Sequence, residues 1–392
     1  SAFARAWGRR AWGVGSGGLC DVAVGAVARW ARGAPPRTGG PRSVHTGRST
    51  AQPGGRVLRY TIRRLAQLVL VAFVLSVLLF GWLRLLPGGP VSALLGDRAT
   101  PESRAALEAQ LGLDQPIWSQ YGKFLLRALS GDFGTSTGVE RGSPAVQVFL
   151  TRFPATIELS LLALLLAVAV GIPLGYLAAR RRGGWWDNLS ITWSLVGVAV
   201  PVFFLAFLLK FVFAVQLGWL PASGRQDVGL DATRVTGFYV LDGLLTREWD
   251  AAWNALVHLA LPAVALSTIP FAVIFRITRA AVLDVLDEDY VRTARAKGLS
   301  GAVIRRRHVL HNALLPVVTT VGLQTGALLA GAVLTERVFN IAGIGQAVAV
   351  GFERKDFPVL QVVILAAAMV YVLVNLLVDL SYALIDPRLR AR

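Results

Sequence analysis

From residue 57 onward the chain is organised by six long apolar stretches, 65–83, 159–177, 194–215, 256–275, 313–334 and 359–377, parted by polar connections. A bilayer core about 30 Å thick takes about 20 apolar residues of helix, and each stretch is of that order. Polar members are few: Gln67 and Ser76 in the first, Ser160 in the second, Lys210 near one end of the third, His258 near the start of the fourth. The fifth carries Thr319, Thr320, Gln324 and Thr325, and the sixth Gln361 and Asn375. Buried helices of a large soluble protein are not so long and so numerous. The pattern predicts an all-α fold, a polytopic transmembrane helical bundle of about six spans. Pro201 and Pro270 predict bends within their spans.

The first long connection, about 87–152, is too long for a plain turn and predicts helices of its own. Thr100 is placed to cap one, with Pro101 at its first position, Glu102 favouring the helix dipole and Gly112 offering a stop. Two more are expected around 118–129 and 145–152. Together they form an outer helical lobe rather than a separate domain.

Charge then orients the bundle. Of 392 residues 16% are charged, well below the quarter or so of ordinary domains, and the formal net charge is +17. Basic residues gather in alternate connections: Arg59, Arg63 and Arg64, then Arg180 to Arg182, then Arg276, Arg279, Arg292, Arg295, Lys297 and Arg305 to Arg307, then Arg388, Arg390 and Arg392. The connection 217–255 holds instead Asp227, Asp231, Asp242, Glu248 and Asp250 against three arginines. Basic connections stay on the cytoplasmic side, so both termini are expected there, and the basicity points to a membrane rather than to nucleic acid. Residues 1–56, with nine arginines and the single acid Asp21, read as a disordered basic leader or a gene-model extension ahead of a start at Val57. Residues 57–392 form the transmembrane domain.

Little in the chain suggests catalysis or a cofactor. Cys20 is the lone cysteine, so no intrachain disulfide or cysteine cluster can form. His308 and His311 share a helix face but lack a third ligand nearby, and read as interfacial polar residues. No G-x-x-x-x-G-K-[ST] phosphate loop occurs. Lys210 reads as snorkelling to the interface. Gln324 and Asn375 either line a pathway or join helices by hydrogen bonds. Glu336, beside the helix-breaking Gly343-Ile344-Gly345, is either part of an outer gate or an interfacial carboxylate at a helix end.

The segment 282–312 is the most informative. Asp284, Asp287, Glu288 and Asp289 precede Tyr290-Val291-Arg292-Thr293-Ala294-Arg295-Ala296-Lys297-Gly298, and Pro316 follows. This predicts a helix with small residues on one side, stopped at Gly298. A turn at Ser300-Gly301 comes next, then a short basic amphipathic helix setting Val303, Ile304, Val309 and Leu310 against Arg305, Arg306 and Arg307. These residues resemble the cytoplasmic loop motif of ABC importer permeases, written E-A-A-x-x-x-G. The spacing to Pro316 is similar to the dipeptide, oligopeptide and nickel branch. Arg84-Leu85-Leu86-Pro87-Gly88, Gly131-Asp132-Phe133-Gly134-Thr135-Ser136, Pro154-Ala155-Thr156-Ile157-Glu158-Leu159, Glu336-Arg337-Val338-Phe339 and Asp386-Pro387-Arg388 follow in that branch's order. Arg292 stands where the motif usually has an acid.

The resemblance implies a type I ABC importer permease fold and a non-catalytic subunit of the bacterial plasma membrane, without cofactor or metal. A coupling loop of Arg292, Thr293, Ala294, Ala296, Gly298, Val303, Ile304, Arg305, Arg306, Arg307 and Pro316 would receive motion from separate ATP-binding subunits. Gln324, Glu336, Gly343, Gly345 and Asn375 are the candidate pathway or gate residues. Two ATP-binding subunits, a homologous second permease and an extracytoplasmic substrate-binding protein are the implied partners. Di- or oligopeptides are the implied substrate, with nickel or short glycans as alternatives. An ion-coupled secondary transporter is the rival class, and it lacks acids deep in the spans here.

Overall fold

The computed structural model describes residues 53–385 apart from 86–90, 92–94, 96–99, 111–112 and 231. The expectation for the leader falls on residues 1–52 outside that range, except that the first helix begins at Pro53, ahead of Val57. The motif positions 86–88 and 386–388 also lie outside it.

Among the described residues there is no strand, only an isolated bridge between Thr135 and Pro144. The helices are α1 (Pro53–Leu85), α2 (Pro101–Gln110), α3 (Ile117–Leu129), α4 (Ala145–Arg180), α5 (Trp185–Ala199) and α6 (Val202–Leu209, extended by π-helical Lys210–Gln216). Then come α7 (Tyr239–Leu245), α8 (Trp249–Leu286), α9 (Asp289–Ala296) and α10, which opens at Gly301–Val303, passes through π-helical Ile304–Leu310 and continues as His311–Val338. α11 (Ile344–Glu353) and α12 (Phe357–Ile385) complete the order.

Four helices, α4, α8, α10 and α12, are each long and apolar enough to cross a membrane. The third expected span is a broken one: α5 and α6 meet at 101°, with Pro201 at the junction. Proline lacks the N–H that would carry the ladder across, so the bend foreseen at Pro201 becomes a full corner. Within α1 the apolar stretch among the described side chains is Ala66–Trp82, inside the expected 65–83. Pro270, by contrast, sits inside an unbroken α8.

The lobe agrees with expectation at its start and departs at its end. Thr100 caps α2, its Oγ1 accepting from the Ser103 backbone N–H at 3.2 Å, and α3 falls where the pattern put it. The helix expected at 145–152 is not separate. It is the beginning of α4, which runs through Pro154 without ending.

α8 is the central helix, with 61% of its most apolar window buried against 28–33% for the other three. Its main partner is α4, and the reason is a ladder of small residues at every fourth position. Ala163, Ala167, Gly171, Gly175 and Ala179 form one stripe, and all are buried. A Cβ on Gly175 would lie 2.7 Å from the Phe275 carbonyl oxygen and 2.9 Å from Thr278 Cβ, so the two backbones approach as only glycine allows. In lipid, where apolar transfer does not drive helices together, such close contact is the main source of association. Large apolar side chains elsewhere on the spans, Leu161, Leu165, Phe204, Phe207, Leu323 and Leu373, stay exposed.

Candidate functional site

The edge of the bundle where α4 and α8 end is basic, and α9 lies on it. α9 is amphipathic: Val291 and Ala294 are buried, while Arg292, Thr293, Arg295 and Ala296 are exposed. Asp289 in its first turn and Arg295 in its last suit the helix dipole. The helix closes in a Schellman motif, the Gly298 N–H donating to the Arg295 carbonyl at 3.0 Å and the Leu299 N–H to that of Ala294 at 3.3 Å. Gly298 has φ +73°, with no atom within 4 Å of where a Cβ would sit. Glycine is needed there for backbone conformation and not for space.

What holds α9 is one apolar cluster. Val291 and Ala294 meet Ile304, Val309 and Ala313 of α10, Ala179 and Tyr176 of α4, and Ala281, Val282, Val285 and Leu286 of α8. The loop helix is thus packed against the ends of three long helices at once. Close-packed interiors transmit displacement rather than absorb it. Nearby, Arg279 grips Asp187 with two bonds of 2.6 and 2.8 Å, tying the start of α5 to α8.

One expectation is corrected here. The short basic helix after Gly298 is not a separate element. Ser300 precedes a helix that starts at Gly301 and runs without a stop into α10. No residue from 302 to 315 is a glycine or proline, so nothing in the chain ends it. Pro316, which closes the sequence motif, sits inside α10. Val303, Arg305, Arg306 and Arg307 are exposed along the first turns, and Ile304 is buried. The π-helical turn Ile304–Leu310 is the irregularity that joins loop to span, and such turns are rare and recur at functional sites. The discrete helix on this edge is therefore α9.

The opposite edge is held by carboxylates. Glu336 is wholly buried near the end of α10. Its Oε1 accepts from Thr156 Oγ1 at 2.5 Å and its Oε2 from the Gln346 N–H at 2.9 Å, while Thr156 Oγ1 accepts from the Ile344 N–H at 2.8 Å. Glu336 and Thr156 together cap the start of α11. Gly343 and Gly345 are required by this arrangement: a Cβ on Gly343 would collide with the Glu336 carboxyl, and one on Gly345 with the Val333 backbone. Glu158, two residues after Thr156 in α4, accepts from Arg225 at 2.6 Å and from the Val240 N–H at 2.7 Å. Asp356 accepts from Ser136 Oγ at 2.6 Å and from the N–H groups of Gly138 and Val139 at 2.9 Å each. Burial opposes its ionisation, but the Ser136 hydroxyl and these N–H donors outweigh it and hold the carboxyl below the usual range.

Of the residues singled out for a gate, the fold brings Glu336, Gly343 and Gly345 into one capping knot and leaves Gln324 and Asn375 apart from it. Gln324 is half-buried within α10. Asn375 faces Gln67 across a cavity of about 330 Å³ between α1 and α12, lined by Leu70, Val71, Val372 and Leu376. Lys210, read as reaching for the interface, donates to the Val338 carbonyl at 2.8 Å and so closes the end of α10. A cation at a helix C-terminus is favoured by the dipole. The partners Thr156, Glu158, Ser136 and Asp356 were not foreseen as a set; three of them sit in motifs whose order alone marked them.

Comparison with known proteins follows the same outline. The model of the family described as binding-protein-dependent transport system inner membrane component matches residues 171–391, and that of its N-terminal part matches residues 57–160. The dipeptide transport system permease protein DppB of Alkalihalophilus pseudofirmus is 42% identical over 334 residues, covering 85% of this chain and 100% of that protein. The di/tripeptide transport system permease protein DppB of Pseudomonas aeruginosa is 45% identical over 335 residues, covering 85% and 99%. The corresponding dipeptide permease of Escherichia coli K12 is 41% identical over 338 residues, covering 85% and 99%.

Proposed function

The chain belongs to the binding-protein-dependent transport system inner membrane component family, and from that membership we propose that it carries di- or oligopeptides across the bacterial plasma membrane, driven by ATP-binding subunits, one of which grips α9. It is a multi-pass membrane permease subunit of an ABC importer and not itself an enzyme. The peptide substrate is carried over from the relatives named above.

The basic edge faces the cytoplasm in this reading, with both termini on that side, because basic connections are retained there. One of the two ATP-binding subunits docks on the exposed face of α9, Arg292, Thr293 and Ala296, and on Val303, Arg305, Arg306 and Arg307 at the start of α10. A homologous second permease completes the pathway, and an extracytoplasmic binding protein delivers substrate to the opposite edge. Nickel and short glycans, the alternative cargoes, have no observation in their favour. The observation that carries the reading is the packing of Val291 and Ala294 into the ends of α4, α8 and α10, which lets one short helix move three spans.

The motion itself follows from that packing. A push on α9 passes to the bundle through that apolar contact, and along the chain through the Gly298 turn and the π-helical turn Ile304–Leu310 into α10. Bulky replacement of Ala294, at 4% exposure, overpacks the cluster and costs about 1–3 kcal/mol. In proteoliposomes holding the whole transporter, Ala294→Leu is expected to hydrolyse ATP while importing little labelled dipeptide. Coupled import at the unaltered rate would overturn the role given to α9.

A further inference from the structure

Between α9 and the bundle lies a cavity of about 600 Å³, lined in part by Ile304 and Arg305 of the coupling loop. Its lining is divided by chemistry. Tyr176, Leu286, Leu299, Ile304 and Val309 supply carbon, and Arg180, Arg295 and Arg305 supply three guanidinium groups. Arg180 also stands over the Tyr176 ring, 5.9 Å from its centroid. Among the described residues none of the three arginines is in an ion pair, although the same edge pairs Arg182 with Asp287 at 3.7 Å and Arg292 with Asp289 at 3.3 Å. Asp287 and Asp289 are thus taken by neighbours outside the cavity, and the cavity lining itself includes no acid. Three unneutralised cations around one void repel each other, and an anion between them relieves that.

The position of the cavity says which anion. It is lined by the last turns of α4 and α8 and the first turns of α10, where the apolar helices run out. In the reading above, on which this rests, that level is the cytoplasmic headgroup layer. Basic pockets between membrane helices at this depth select anionic lipid headgroups. The apolar part of the lining suits a glycerol backbone and the start of an acyl chain, which a free phosphate or an acidic protein side chain would leave unfilled. We propose that this cavity binds the phosphate of an anionic phospholipid, held by Arg180, Arg295 and Arg305. A lipid seated there touches Arg295 of α9 and Arg305 of α10 together, so it braces the loop that receives force.

Native mass spectrometry of the whole transporter, released from vesicles of phosphatidylcholine with phosphatidylglycerol, tests this. The unaltered complex is expected to retain phosphatidylglycerol over phosphatidylcholine, and the variant Arg180→Ala/Arg295→Ala/Arg305→Ala to retain it about tenfold less or weaker still. The charge-matched control Arg181→Ala/Arg182→Ala/Lys297→Ala, also on this edge but outside the cavity, is expected to retain it as the unaltered complex does. Equal retention by the two variants would overturn the site. So would displacement of the lipid by inorganic phosphate, or retention only after the ATP-binding subunits are stripped away, which would give the cavity to an acidic side chain of those subunits. A triple Lys variant guards against misfolding, and its retention is expected to stay within a few-fold of the unaltered level. Copurification of the ATP-binding subunits, scored on the same spectra, reads the function proposed above separately.

Discussion

The two edges of the bundle hold their loops by different means, although the Arg279–Asp187 pair gives the basic edge one buried carboxylate of its own. On one, buried carboxylates reach across the chain: Glu336 to Thr156, Glu158 to Arg225, Asp356 to Ser136. Each also accepts backbone N–H groups, so it fixes a loop or a helix start as well as a side chain. On the other edge α9 is held by apolar contacts, chiefly Val291 and Ala294, and its charged groups point outward. Hydrogen bonds to a buried charge contribute about 1.5–3 kcal/mol each and fail if geometry shifts. Apolar contacts are non-directional and survive small sliding. A carboxylate knot therefore favours one arrangement, whereas a packed helix with an exposed polar face can be displaced as a body. This is the division expected of a machine driven from one end.

The contrast can be broken most severely at Gly345. Its Cβ would meet the Val333 backbone, which has no side-chain freedom to yield, so Gly345→Ala is expected to abolish accumulation of folded protein in the membrane. Immunoblotting of membrane fractions checks it. Glu336→Gln comes next. It keeps the shape but turns one of the two acceptor oxygens into an amide NH2, leaving either the Thr156 hydroxyl or the Gln346 N–H without its acceptor, and a loss of about 2 kcal/mol of stability is expected, read as a lower unfolding temperature in detergent.

On the basic edge the expected effects are smaller and fall on coupling. Gly298→Val imposes a left-handed conformation on a β-branched residue, at about 1–2 kcal/mol, with no clash because the space is open. Gly298→Asn, which tolerates that conformation, is expected to keep most of the import that valine loses. If the two behave alike, the Schellman closure is not what matters. Arg306→Ala/Arg307→Ala is expected to leave insertion and folding unchanged and to weaken ATPase-subunit retention a few-fold, more at high salt than at low.

How much of this stood in the sequence depended on whether its cause was local. The spans followed from runs of apolar residues, the α2 cap from Thr100 with Pro101, and the end of α9 from Gly298. Each is decided within a few positions. What was missed was decided at a distance. Pro154 reads as a stop, yet α4 continues past it because its small-residue ladder is buried against α8. Gly301 and the arginines after it read as a separate helix, since the π-helical turn that carries them into α10 has no sequence mark. Lys210 reads as snorkelling, and the carbonyl it meets, that of Val338, comes from a remote helix that its own neighbourhood does not name. The glycines at 343 and 345 were noted, but their cause, a buried carboxyl pressed against them, belongs to the fold.

Site-directed crosslinking from α9 bears on all of this most directly. With Cys20 replaced by serine, Thr293→Cys on the exposed face of α9 would be the single thiol of the chain. In membranes holding the whole transporter, a short bifunctional reagent is expected to join it to an ATP-binding subunit, with a yield that changes when ATP is trapped. A thiol that is modified only from outside the cell, or that crosslinks to lipid alone, would contradict the role of this helix as the point where force enters.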